Sequence, residues 1–191
     1  MKISIIGNGN VGQTLSRGLE KAGHSVTTTG DDPARVKELA GSSDVVIIAV
    51  PYGVLDKLAE TIGSAADGKP LVDVTNALSP QFTLALGYTT SGAEELQKKL
   101  PGARVVKAFN TTFASMMDTG QAKGEQLTAF VAGDDAGAKA TVQELARGIG
   151  FDAVDAGPLA NARLLEPIGF LNIQLGFVLG LGSEIGLKLV R

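Results

Sequence analysis

The 191-residue chain contains no cysteine, which excludes disulfides, thiolate metal sites, iron–sulfur clusters and cysteine nucleophiles and frees the fold from any oxidising compartment. Histidine occurs once. His24 follows Gly23 in the turn before a strand, at the end of a sheet opposite the one that binds ligands, so it reads as structural and no imidazole general base is available. There is no block of Lys or Arg, and the net charge is −3, so nothing attracts a polyanion. A nucleic acid is excluded and a small molecule is the expected partner. The leading apolar run, Ile3 to Ile6, is too short for an export signal, which makes the cytoplasm the expected location. The uncharged stretch Pro167 to Ser183 carries Asn172 and Gln174 and falls short of the roughly 20 residues that span a bilayer, so a membrane is not expected.

Hydrophobic residues make up 44% of the chain and glycine appears 25 times, as in a globular protein with many tight turns. Short apolar strands alternate with helical segments. Strands are expected at Lys2 to Ile6, Ser25 to Thr29, Asp44 to Val50, Pro70 to Val74, Arg104 to Ala108, Leu127 to Ala132 and Asp152 to Asp155. Helices are expected at Val11 to Ala22, Tyr52 to Ser64, Gly92 to Leu100 and Ala136 to Gly148. This is the pattern of an α/β Rossmann-type fold, doubly wound about a mainly parallel sheet. Residues 1–158 form the expected dinucleotide-binding domain, and residues 159–191 a short apolar helical appendage. Within the appendage, Ile168 to Leu189 is expected to be a buried helix shared between two subunits of a homodimer.

The run Gly7-Asn8-Gly9-Asn10-Val11-Gly12 fits the dinucleotide fingerprint, and its setting between an apolar strand and a helix gives the pattern weight. Gly7 permits the tight turn, Gly9 lets a pyrophosphate approach the backbone, and Gly12 lets helix pack on strand. Free N–H groups at the helix start supply the anion site. Ala49-Val50-Pro51-Tyr52 and Asp73-Val74-Thr75-Asn76 end later strands, where open sheets bind ligands, and are expected to line the path from adenosine ribose to nicotinamide. Tyr52 reads equally as a cofactor contact or a solvent-facing aromatic. Asn76, polar at a strand end, is the stronger candidate. No metal site is expected.

Several of these segments together resemble the coenzyme F420-dependent NADP reductase family, which is also similar to the N-terminal domain of STEAP metalloreductases. They are the glycine fingerprint, Val50-Pro51-Tyr52, Val72 to Asn76, Val105-Val106-Lys107-Ala108-Phe109-Asn110-Thr111 and Asp155-Ala156-Gly157-Pro158-Leu159 with its continuation to Glu166. The resemblance implies hydride exchange between NADP (or NAD) and F420, with both rings in one cleft and orientation taking the place of acid–base catalysis. Asn110, Thr111 and Thr112 follow a strand end. They are placed either to hold the second ring or to cap a following helix. Asp155, Arg163 and Glu166 read as ion-paired or capping residues at least as readily as catalytic ones, and no catalytic residue is assigned.

One position departs from the family. Where the family has Gly-Ser-Arg to grip the 2′-phosphate of NADP, this chain has Thr29-Gly30-Asp31. A carboxylate there suits a ribose hydroxyl, whereas like charges 4 Å apart repel by about 4 kcal/mol at an effective dielectric of 20. Arg35, one helical turn on, is the candidate rescuer together with Thr29. A flavin is the other flat ring that could stand in place of F420, and two other functions fit the fingerprint: a small-substrate hydroxyacid or imine reductase, and a nucleotide-sensing module without turnover.

Overall fold

A computed structural model describes residues 1–191. The elements run β1 (Lys2–Ile6), α1 (Asn10–Lys21), β2 (Ser25–Thr29), α2 (Pro33–Ser42), β3 (Val45–Ile48), α3 (Leu55–Ile62), β4 (Pro70–Asp73), α4 (Gly92–Lys99), β5 (Arg104–Lys107), β6 (Gln121–Ala122), β7 (Glu125–Gln126), β8 (Thr128–Gly133), α5 (Ala136–Ile149), β9 (Asp152–Asp155) and α6 (Ala162–Ile173). Seven strands form one sheet in the order β2-β1-β3-β4-β5-β8-β9, and β6 pairs with β7 in a separate hairpin. All neighbours in the large sheet are parallel except β5 and β8. The mainly parallel, doubly wound architecture expected from the sequence is therefore present.

Strand β3 explains the layering. Its four residues, Val45 to Ile48, are all buried, because helices cover both faces of the sheet. Val45 and Ile47 point into a core shared with Ile5, Leu15 and Leu145, while Val46 and Ile48 point into a second core with Leu58, Leu71 and Leu96. The chain leaves β1 for β2 on one side and then returns to β3 on the other. Strand order thus reverses between β1 and β3, and a crevice opens at their carboxyl ends.

Three features depart from the sequence reading. Helix α2 was not expected, although Asp32 accepts hydrogen bonds from the Ala34 and Arg35 N–H groups and Pro33 takes the first helical position. The span from Tyr52 is also a 3₁₀ turn leading into α3 rather than one continuous helix.

The third departure is the C-terminal segment, where the buried helix expected from Ile168 to Leu189 does not form. Helix α6 continues through a π turn, Gln174–Val178, and then stops at Gly180 and Gly182, whose φ values of 74° and 79° cannot extend a right-handed helix. Beyond that point the chain runs back along the start of β8, where the Thr128 N–H donates to the Leu187 carbonyl at 2.9 Å. Phe177, Val178, Leu179 and Leu181 stand out from the surface at 58–68% exposure. No helix is long and apolar enough to cross a membrane.

Candidate active site

The crevice between β1 and β3 is shaped by the three fingerprint glycines, each for a different reason. Gly7 has φ +119° and its missing side chain leaves room for the Ala49 carbonyl oxygen, which a Cβ would overlap. At Gly12 a Cβ would collide with the Gly7 carbonyl, so α1 packs directly on the turn. Gly9 differs: its φ is −76°, and a Cβ there would meet nothing within 4 Å. Neither backbone strain nor packing demands glycine at position 9. Gly9 also caps α1 without any side-chain hydrogen bond, which leaves the first N–H groups of the helix, at its positive end, facing open space.

Two lobes meet at this ridge. The first, about 440 Å³, is lined by Gly7, Asn8, Gly30, Asp31, Val50 and, from α3, Lys57 and Thr61. The second, about 340 Å³, is lined by Asn10, Val11, Tyr52, Val74, Thr75 and Asn76. Gly9, Ala49, Val50 and Pro51 border both. Both volumes fall within the range of small-molecule sites, roughly 300–1,000 Å³.

The polar residues expected at the site take varied positions. Asp31 lines the first lobe and Asn8 sits against Gly30. Thr29 is buried, and its carbonyl accepts the Gly7 N–H at 2.8 Å. The Arg35 guanidinium is directed away along α2, with Nη1 2.8 Å from both carboxylate oxygens of Glu38. Lys57 was not foreseen; the signal lay in the helical spacing of Val54, Lys57, Leu58 and Thr61, which puts all four on one lobe wall. Tyr52 lines the second lobe. Partial burial, and then the nearby Asp56 and Glu166 carboxylates, raise its phenol pKa above the usual value, so it remains protonated at neutral pH.

Asn76 and Asn110 clasp one another. Asn110 Nδ2 donates to Asn76 Oδ1 at 2.9 Å, and Asn76 Nδ2 donates to the Asn110 carbonyl at 3.0 Å. Asn110 also donates to the Leu165 carbonyl of α6 at 2.8 Å. Thr111 and Thr112 are buried beside it, and the Thr111 carbonyl accepts from Asn172. None of the three caps a following helix: the turn that follows, Ala114–Met116, has no side-chain cap.

Behind the second lobe lies an ionic cluster. Lys107 Nζ is 2.9 Å from Asp73 Oδ2 and 2.8 Å from Glu166 Oε1, and all three side chains are at most 1% exposed. Burial acts to lower the lysine pKa, but the two carboxylates more than offset it and hold the ammonium charged. Glu166 also accepts the N–H groups of Gly92 and Ala93 at the start of α4. The sequence signal for Lys107 is a charge in a strand otherwise buried, and it faces Asp73 in the parallel register. Arg163 pairs with Glu94 and Asp155 with Lys139, so Asp155, Arg163 and Glu166, the charged residues of the Asp155 to Glu166 segment, are all ion-paired. His24 lies at the opposite end of the sheet, 3.5 Å from the N-terminal amine.

Comparison with known proteins agrees with this geometry. Residues 2–43 match the family model described as NADP oxidoreductase, coenzyme F420-dependent. Metalloreductase STEAP3 of Rattus norvegicus is 34% identical over 183 residues, covering 87% of this chain but 36% of that protein. The chain thus spans about a third of the length of the curated relatives it matches. A pyrroline carboxylate reductase from Plasmodium falciparum, solved with NADP bound, shares the fold at 14% identity and a TM-score of 0.63, over 92% of this chain and 65% of that one. A crystal structure from Arthrobacter sp. FB24, provisionally described as an F420-dependent NADP reductase, superposes with a TM-score of 0.91 at 31% identity, both chains being covered to 100%. With the crevice, the fingerprint and a full-length relative in agreement, the chain belongs to the F420-dependent NADP reductase family of oxidoreductases.

Proposed function

We propose that this protein is a cytoplasmic enzyme that passes hydride between NADP(H) and a flat acceptor ring, with coenzyme F420 as the first candidate. The observation that carries this reading is the vacant approach to Gly9, where an uncapped helix start faces a two-lobed crevice. The pyrophosphate fits that start, held by backbone N–H groups from Asn10 to Gly12. The adenosine half belongs in the first lobe beside Asn8, Gly30 and Asp31, and the nicotinamide half in the second, along Val50, Pro51, Tyr52 and Asn76. A bound dinucleotide supplies the hydride; the chain's part is to orient the rings and keep water from them. Asn110, Thr111 and Thr112 serve the acceptor side by fixing the Asn76 edge of the second lobe.

Charge around the first lobe is divided. Asp31 opposes a 2′-phosphate and Lys57 favours one, while family membership supports NADP(H) as the working cofactor. Residues 1–158 act as the dinucleotide-binding unit. Residues 159–191 close it from behind, and the exposed apolar tip around Phe177 meets a second copy of the chain in a homodimer. Sedimentation at micromolar concentration checks the last point, because a monomeric parent chain removes it.

Titration of the purified protein with NADPH, NADH, F420 and FMN, followed by spectral assay of acceptor reduction, tests the main reading. NADPH-dependent reduction of F420 is the expected result. Reduction of FMN alone moves the acceptor to a flavin, and tight dinucleotide binding without reduction of either acceptor overturns the ring-acceptor reading in favour of a small-substrate reductase or a sensing module.

A further inference from the structure

Thr75 lies two residues beyond the end of β4, on the wall of the second lobe with Val50, Pro51 and Tyr52. Its backbone is held from both sides. The Thr75 N–H donates to Asp73 Oδ1 at 2.9 Å, and its carbonyl accepts from Lys107 Nζ, which is itself fixed between Asp73 and Glu166. Such a clamp leaves the segment little freedom to shift. The side chain is treated differently: Thr75 is 6% exposed, and its Oγ1 is buried with no hydrogen-bond partner.

A buried hydroxyl without a partner is unfavourable, and native structures rarely leave one without a reason. Rotation about χ1 exchanges the threonine hydroxyl and methyl between staggered positions. Because Oγ1 makes no hydrogen bond in its present orientation, turning it toward the lobe forfeits none. Beside it the lobe is mainly apolar, with Val50, Pro51, Val74 and Leu78 on its walls. The Asn76 amide, its polar neighbour, is already engaged with Asn110. That leaves Thr75 as a spare hydrogen-bonding group set in a wall suited to the face of a flat ring.

We infer that Thr75 Oγ1 is a ligand contact of the second lobe, hydrogen-bonding the nicotinamide nucleoside half of the dinucleotide through its carboxamide or ribose hydroxyls. The inference rests on the assignment of the two lobes made above. It makes Thr75 a residue that selects for the intact dinucleotide over its adenosine half.

Thr75→Val keeps the shape and removes the oxygen, whereas Thr75→Ser keeps the oxygen. Affinities for NADPH and for 2′,5′-ADP, which lacks the nicotinamide nucleoside, are measured for the parent and both variants alongside thermal unfolding. Thr75→Val is expected to bind NADPH about five- to tenfold more weakly. Its affinity for 2′,5′-ADP stays within about twofold and its Tm equals or exceeds that of the parent, since a buried unpaired hydroxyl has gone. Thr75→Ser is expected to bind NADPH within about twofold of the parent. An unchanged NADPH affinity in Thr75→Val, or an equal loss for both ligands, overturns the inference while the parent's own binding leaves the dinucleotide reading standing. A parent protein that binds neither ligand removes both.

Discussion

Lys107 and Glu166, 59 residues apart in the chain, meet at 2.8 Å with both side chains at most 1% exposed. Through this contact and the 2.9 Å bond from Lys107 to Asp73, the ends of β4 and β5 are joined to α6, and Glu166 extends the link to the start of α4. The wall of the second lobe is built on that joint. Its charges are mutually dependent, because each ion is out of water and stable only beside its partners.

Lys107→Met strands two buried carboxylates and is expected to lower stability by about 3–5 kcal/mol. Glu166→Gln is milder, about 1–3 kcal/mol, since Asp73 still neutralises the lysine and the amide oxygen still accepts from α4. Urea denaturation of both variants checks the order. Equal stability of Lys107→Met and the parent would remove the cluster's structural role.

The fingerprint glycines separate fold from binding. Gly12→Val drives a side chain into the Gly7 carbonyl and is expected to cost about 3 kcal/mol or more. Gly9→Val points into open space and costs only about 1 kcal/mol as a poor helix cap, yet it fills the place proposed above for the pyrophosphate. Circular dichroism with NADPH fluorescence titration distinguishes them: a folded Gly9→Val protein with parental NADPH affinity would move the site elsewhere.

Reading of the 2′-phosphate follows from where the charges point. Asp31→Arg is expected to raise the NADPH-to-NADH affinity ratio by about tenfold or more, and Lys57→Ala to lower it by about threefold to tenfold. Arg35→Ala is expected to leave the ratio within about twofold, because that guanidinium lies along α2 beside Glu38 and does not line the first lobe. Dissociation constants for both nucleotides decide, and a large fall in the ratio in Arg35→Ala would show that the arginine leaves Glu38 for the phosphate.

The Arg163–Glu94 pair carries a pH signature. Burial alone would raise the Glu94 pKa, but hydrogen bonds from Arg163 and Ser91 more than offset it and leave the carboxyl below its ordinary 4.5. A depressed folded pKa gives stability that is present above the unfolded value and disappears as pH falls through the folded one. Arg163→Met is therefore expected to be less stable than the parent at pH 7, with the gap closing below about pH 4.5. Chemical denaturation at pH 7 and pH 3 measures the gap; one of constant size would mean that the arginine acts by packing alone.

The sequence alone determined the alternating strands and helices and the place of the glycine turn, because apolar periodicity and backbone permissiveness are local properties. Gly7, Gly9 and Gly12 were legible for that reason, as were β2 and β9 to the residue. Helix α2 has its local signal in Asp32-Pro33, a capping carboxylate followed by proline at the first helical position. Only the tertiary structure decided what the charged and polar side chains face. Arg35 turns to Glu38, Lys57 reaches the first lobe from α3, and Asn110 spends its amide on Asn76 and α6, since orientation depends on neighbours far apart in the chain. Lys107 makes the point most fully: a lysine inside a buried strand is tolerable only when carboxylates from β4 and α6 converge on it, and that convergence exists only once the chain has folded. The same holds for the C-terminal run, whose uncharged composition signalled burial, while Gly180 and Gly182 ended the helix and left Phe177 and its neighbours at the surface.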